Sequence, residues 1–391
     1  MKKNYLASVL IIIVLIIIYI VMPNNSVKKT GKINKREIIT INERKAVFIS
    51  YIDLGTYIKG KDKEVSKNNI DKMIQNIKDS KFNTIYLQVR SHADSIYNSK
   101  IFPVSKNIIL SDGSSYDVLK YFIEKGKKEN ISIYAWLNPY RIGEEIDKNS
   151  KYYKLVGEDG IKQINNMYYF NPASQNVEDL IVEGIKEILN NYKVDGIIFD
   201  DYFYPSNDID REEYEKSNLK ISREQYHLDI VSKMILAVNK AIKKIDKKIL
   251  FGVAPDGNID NNYQKHYADV KKWASDSKYI DFLMPQVYYG FNNSVRPYQQ
   301  TIEEWNKIIT DKNIGLDVAL SFYKVGVIDN FAKEGKREWI ENRDIIKRQI
   351  EAARKLSNYK GFSIFRYDNL FNKLKYTDNT IYELEGLKQI M

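Results

Sequence analysis

Eight short runs rich in β-branched and aromatic residues punctuate this chain, at 46–54, 83–90, 132–141, 195–201, 248–255, 281–289, 314–322 and 361–367. Each has the length and apolar character of a parallel strand buried on both faces. Helical patterns separate them. After the first run, Ile70, Met73, Ile74 and Ile77 repeat at helical spacing behind Ser66, a candidate cap. Further helices are expected at 116–129, 177–192, 223–245, 263–275, 301–309, 343–356 and near 381–388. Eight strands, each followed by a helix, predict an α/β fold of the (β/α)8 TIM-barrel type. The extra length falls at 143–171 and 202–221, after the third and fourth runs, so both insertions belong on the face where such barrels carry their chemistry.

Ahead of these runs, Lys2 and Lys3 precede an apolar stretch from Tyr5 to Met22, long enough to span a bilayer core. No small-residue cleavage pattern follows at Met22-Pro23-Asn24-Asn25. Residues 1–23 are therefore read as an uncleaved signal anchor, a transmembrane helix, with a cleaved signal peptide as the alternative. Residues 24–44 read as a basic linker and 45–391 as the barrel domain, held at the cell membrane on its outer side. The absence of Cys excludes disulfides, thiolate metal sites and thiol nucleophiles. Seven of the 61 basic residues and none of the 51 acidic ones lie in residues 1–36. The net charge of +10 thus belongs mostly to the amino-terminal segment, and no nucleic-acid partner is indicated. A monomer without cofactor or metal is expected.

The fourth run carries the sharpest local signal. From Val194 to Pro205 it reads as an apolar strand that ends in Asp200-Asp201 and the rings of Tyr202, Phe203 and Tyr204. Carboxylates at a carboxyl-terminal strand edge stand where barrel enzymes react, and flanking rings suit a sugar. Side chains alternate along a strand, so parity indicates what faces the barrel interior. The inward sets are Tyr86, Gln88 and Arg90; Tyr134, Trp136, Asn138 and Tyr140; Ile198 and Asp200; and Met284, Gln286 and Tyr288. Arg90, Asn138, Asp200 and Gln286 are expected to converge at the mouth. Asp201 faces outward unless the strand has already bent away. Each residue also has a plainer reading. Arg90 could simply neutralise Asp200, Gln286 could be a core amide, His92 a surface group and Asp94 a turn cap. Asp256 in Pro255-Asp256-Gly257 could be turn chemistry, and Tyr202, Tyr288 and Tyr289 packing. What favours function is that Arg90, Asn138, Asp200, Asp256, Gln286 and Arg366 all fall at the same end of successive strands.

Several ordered segments resemble a known family. They are Gln88-Val89-Arg90-Ser91-His92-Ala93-Asp94 running on to Pro103, Ala135-Trp136-Leu137-Asn138-Pro139-Tyr140-Arg141, the stretch from Asp195 to Pro205, Pro255-Asp256-Gly257-Asn258, and Pro285-Gln286-Val287-Tyr288-Tyr289. Over about Lys45 to Asn372 the chain resembles the bacterial predicted glycoside hydrolases called glycosyl-hydrolase-like family ten. That resemblance implies a TIM barrel, an extracytoplasmic location and action on glycans. It brings His92, Asp94, Tyr140, Arg141 and Asn258 into the expected substrate-binding set. More loosely, Asp200 matches the fourth-strand nucleophile of amylase-like enzymes. Tyr202 stands where chitinase-like enzymes keep their acid, which argues against their substrate-assisted mechanism.

Glycoside cleavage needs one carboxyl group to protonate the leaving oxygen and another to stabilise or attack the anomeric carbon. Asp200 is expected in the ionised role, held charged by Arg90. Asp256 is the first candidate acid and Asp201 the second, because adjacent carboxylates push one pKa upward. Asn138, Gln286 and the tyrosines would orient hydroxyls, and Trp136 or Tyr288 would offer a stacking face. The expected substrate is an extracellular or cell-envelope polysaccharide or oligosaccharide. The alternative is a non-catalytic carbohydrate-binding barrel tethered to the membrane. A metal-dependent deacetylase is disfavoured, since His92, His227 and His266 lack H-x-x-x-H spacing.

Overall fold

The computed structural model describes residues 43–157 and 159–391. In chain order its strands are β1 (Arg44–Ile49), β2 (Thr84–Arg90), β3 (Ser132–Leu137), β4 (Arg141–Gly143), β5 (Ile161–Ile164), β6 (Met167–Phe170), β7 (Gly196–Phe199), β8 (Leu250–Val253), β9 (Phe282–Leu283), β10 (Gly315–Ser321) and β11 (Tyr359–Phe365). Eight of them, β1, β2, β3, β7, β8, β9, β10 and β11, close a parallel barrel in that order. The enlarged loop after β3 folds into a small antiparallel sheet of order β4-β6-β5, which the sequence pattern did not reveal. The expected signal anchor, residues 1–23, lies outside the described residues. No helix among the described residues is long and apolar enough to cross a membrane.

Three boundaries differ from expectation for identifiable reasons. β1 stops at Ile49 because Ser50 and Asp53 form a capping box that starts the helix Tyr51–Tyr57. β9 is only two residues long, since Pro285 has no N–H to donate. Its line continues as single bridges of Gln286 to Asp256 and Ala319. Ser66 is not a cap: it is buried inside the helix Lys63–Asp79, where its hydroxyl meets that of Tyr116 at 2.7 Å.

Inside the barrel, Phe48, Tyr86, Tyr134, Trp136, Phe282 and Met284 pack together. The rings fit because two strand positions lack side chains. A Cβ on Gly196 would lie 2.3 Å from the Tyr134 ring, and one on Gly252 would lie 2.2 Å from Phe282. The amino-terminal end is closed by Arg44, whose Nε and Nη2 donate to the buried Asp317 at 2.7 and 2.6 Å. Between barrel and helices lies the larger core, with Trp273, Trp305 and Phe122 fully buried.

Glu383, on the last helix (Asp378–Ile390), accepts the free N–H groups of Ile345 and Ile346 at the start of the helix Ile345–Ala353, at 2.7 and 3.0 Å. Burial pushes its carboxyl up to about 7. Glu383→Ala leaves two buried N–H groups unpaired and is expected to cost about 2 kcal/mol in urea unfolding at pH 5. The folded carboxyl keeps its proton to about pH 7, whereas the unfolded one releases it near 4.5. Its contribution to stability therefore falls as pH rises through that window, and the cost of the substitution shrinks at pH 8.

Candidate active site

β7 ends at Phe199, and the chain turns there, so the next two carboxylates both reach the mouth instead of alternating across the wall. Asp200 is buried at a cavity of about 180 Å³. Its Oδ2 accepts the Trp136 indole N–H at 3.2 Å and a long bond from the Asn138 amide at 3.5 Å. Its Oδ1 accepts the Tyr202 N–H at 3.4 Å. Burial and the neighbouring Asp201 charge push the Asp200 carboxyl up to about 7, against the opposing pull of Arg141 and these donors.

The expected Arg90–Asp200 pair does not form. β2 pairs Gln88 with Trp136 and then Arg90 with Leu137, so Val89 is an extra residue and the side-chain parity reverses beyond it. Arg90 consequently lies outside the barrel wall. Its guanidinium sits 4.5 Å from the centre of the Phe102 ring, against Gly184 of the helix Gln175–Asn191, where a Cβ would come within 3.1 Å of Nη1. The cation beside Asp200 is instead Arg141. Two of its N–H groups donate to Ser91 O at 3.0 and 2.8 Å, and it lies 5.2 Å from the Tyr202 ring at the rim.

Asp201 lines both the central cavity and a second one of about 370 Å³. Burial raises its carboxyl, opposed by His266 and by a hydrogen bond from Gln286. The donor atoms of Asp201, Asp256 and His266 all lie within 4.8 Å of one another. These are the described residues best grouped to hold a cation, yet they are also linked to one another: His266 Nε2 is 3.9 Å from the Asp256 carboxylate. For Asp256 burial acts upward, but His266, the Asn258 N–H at 2.7 Å and the Asn261 amide at 3.2 Å outweigh it and hold the carboxyl below its ordinary range. A group held ionised makes a poor acid, which weighs against Asp256 as the proton donor. His266→Ala is expected to move the Asp256 carboxyl upward, as carbon-detected NMR titration of labelled aspartates would read directly.

The remaining expectations divide. Gln286 and Tyr288 line both cavities, and Gln286 also donates to Ala254 O at 2.9 Å. Trp136 lines the central cavity and gives its indole N–H to Asp200. Tyr289 and Asn258 line the second cavity, where Asn258 also caps the helix Ile259–Gln264. His92 and Asp94 line a third cavity of about 610 Å³, with Asp94 accepting the His92 N–H at 3.2 Å in a local turn. Tyr140 is buried in the outer core, and its hydroxyl has no hydrogen-bond partner among the described residues. Arg366 is tied to the buried Asp53 and lines none of these three cavities.

Sequence reasoning missed His266, and also Phe48, Ser50, Tyr51 and Phe365 on the central wall. Strand parity reaches Phe48, Ser50 and Phe365, but Tyr51 has the opposite parity and comes to the wall only because β1 ends and a helix begins there. Gln88, placed inside by parity, does line the cavity and accepts the Tyr51 N–H at 3.0 Å.

A model of the family described as "Glycosyl hydrolase-like 10" matches residues 43–339. Among curated proteins, the glycosyl hydrolase DigH of Escherichia coli (strain K12) is 26% identical over 323 residues, covering 74% of this chain and 72% of its own. The glycosyl hydrolase YngK of Bacillus subtilis (strain 168) is 26% identical over 344 residues, covering 80% of this chain and 65% of its own. Among solved structures, the PgaB (BpsB) glycoside hydrolase domain from Bordetella bronchiseptica superposes with a TM-score of 0.57 at 14% identity, covering 89% of this chain and 99% of that one. At that identity the likeness is one of fold.

Proposed function

Because the chain belongs to the glycosyl hydrolase-like 10 family, we propose that it hydrolyses a glycosidic bond in an extracellular or cell-envelope polysaccharide. In this reading Asp201 protonates the leaving oxygen, and Asp200 is the carboxylate that faces the anomeric carbon. The observation that carries the assignment is placement. Asp201 borders two adjoining cavities, where a bond between two sugar rings would lie, whereas Asp200 borders only the central one. Every hydrogen bond recorded at Asp200 comes from an N–H, which favours its ionised form. With Asp201 protonated, the repulsion that adds to burial in raising Asp200 is relieved, and a single proton shared by the pair would supply both roles. Arg141 balances the remaining negative charge. The names of DigH and YngK support the reaction class. The apolar stretch from Tyr5 to Met22 supports a barrel tethered to the cell membrane and facing outward.

The test is to incubate the full chain with cell-wall glycan strands and with secreted exopolysaccharide, and to measure new reducing ends. Release by the parent protein and none by Asp200→Asn is expected. No release from any fraction would count against hydrolysis.

A further inference from the structure

Beyond Asp201 the mouth continues into the second cavity, which shares Asp201, Gln286 and Tyr288 with the central one. Its outer wall includes Phe331, 86% exposed. On a loose loop such a ring would carry no information, but this loop is fastened. Ala332, next in sequence, is buried, and so is Asp329. The Asp329 carboxylate accepts Lys324 Nζ at 2.7 Å and the Phe331 N–H at 3.2 Å, and Lys324 also donates to Tyr288 O at 2.7 Å. Further along, Gly326 N–H bonds Trp339 O at 2.8 Å, with the Trp339 ring fully buried. Glu338 accepts the Phe291 and Asn292 N–H groups at 2.9 and 2.8 Å. A backbone held this firmly presents an open aromatic face beside the catalytic carboxylates.

We infer that the second cavity is a sugar subsite with Phe331 as its stacking platform, and that the enzyme takes a chain of neutral pyranoses extending past the cleavage point. This rests on the glycan-cleaving reading above. A pyranose presents an axial C–H face that an exposed phenyl ring covers, while its equatorial hydroxyls suit the amides of Asn258 and Asn293 nearby. The preference for a neutral ring follows from charge. Arg296 is paired with Glu304 at 3.0 Å and Asp260 at 3.2 Å, and Lys324 with Asp329, so an acidic sugar would meet the ionised Asp256 with no unpaired cation among the described residues that line the cavity.

The experiment compares the full chain, Phe331→Ala, Phe331→Trp and Leu374→Ala in native gels containing cell-wall glycan strands or exopolysaccharide. Leu374 is 97% exposed and lines none of the three cavities, so it controls for loss of any open apolar side chain. Phe331→Ala is expected to weaken retardation about three- to tenfold, with Phe331→Trp and Leu374→Ala behaving as the parent. Alongside, the kcat/KM advantage of long strands over short oligosaccharides should shrink in Phe331→Ala through a higher KM. Equal retardation of Phe331→Ala and parent, or no retardation of the parent by either glycan, overturns the subsite. Retardation that depends on Phe331 while no reducing ends appear supports the subsite and overturns the cleavage reading alone.

Discussion

Asp200→Asn is expected to lower kcat on the glycan by about a thousandfold or more, with retardation in glycan-containing gels preserved. The substitution keeps the shape of the side chain and can still accept from Trp136 and Asn138, so binding contacts survive while the negative charge is lost. The same change should stabilise the fold. In the native protein burial and the neighbouring Asp201 charge push the Asp200 carboxyl from the ordinary 3.8 up to about 7, so the pair keeps its shared proton over that range. Between those limits the folded state binds more protons than the unfolded state, so stability falls as pH rises through the window. Asp200→Asn removes that penalty. Its melting temperature should exceed the parent's at pH 8, and the difference should fade near pH 4. Dead activity with a raised Tm distinguishes a lost catalytic charge from a damaged fold, which would lower both.

Asp201→Asn is expected to depend on the leaving group. Natural glycans, whose departing alkoxide needs a proton, should lose about a hundred- to ten-thousandfold in kcat/KM. Aryl glycosides with acidic phenols need little protonation and should lose far less. The parent's kcat/KM should fall on the alkaline side near pH 7, as the buried pair surrenders its shared proton. In Asp201→Asn the Asp200 carboxyl should titrate lower, because its neighbour's charge no longer raises it. Asp256→Asn should show no such leaving-group dependence, since that carboxyl is held ionised by His266 and Asn258. Equal losses across leaving groups in Asp201→Asn would remove it from the role of acid.

The barrel was legible because eight strands buried on both faces must be near-continuously apolar, and no turn-rich sequence imitates that eight times over. The convergence of Asp200, Asn138, Trp136, Gln286 and Tyr288 was legible for a related reason, since strand parity is a strict period. It failed where the period was broken. The extra residue at Val89 sent Arg90 through the wall to Phe102, and nothing in Gln88-Val89-Arg90 announces a bulge. The early end of β7 brought Asp201 inward against its parity, an outcome only a known strand length could decide. His266 follows the short helix Ile259–Gln264, and its approach to Asp256 and Asp201 comes from tertiary packing with no sequence spacing to mark it. Phe331 was invisible too, because an exposed ring informs only once its loop is known to be anchored.

The central claim is that one bond lies across Asp200 and Asp201, with the leaving sugar beyond. Its most direct test is the structure of Asp200→Asn with an uncleaved oligosaccharide drawn from the most readily degraded glycan. The account expects an anomeric carbon above Asn in place of Asp200, the glycosidic oxygen within about 3 Å of the Asp201 carboxyl, and the next ring against Phe331. A chain whose glycosidic oxygens all lie out of reach of Asp201, or one bound only in the cavity beside His92 and Asp94, would contradict it.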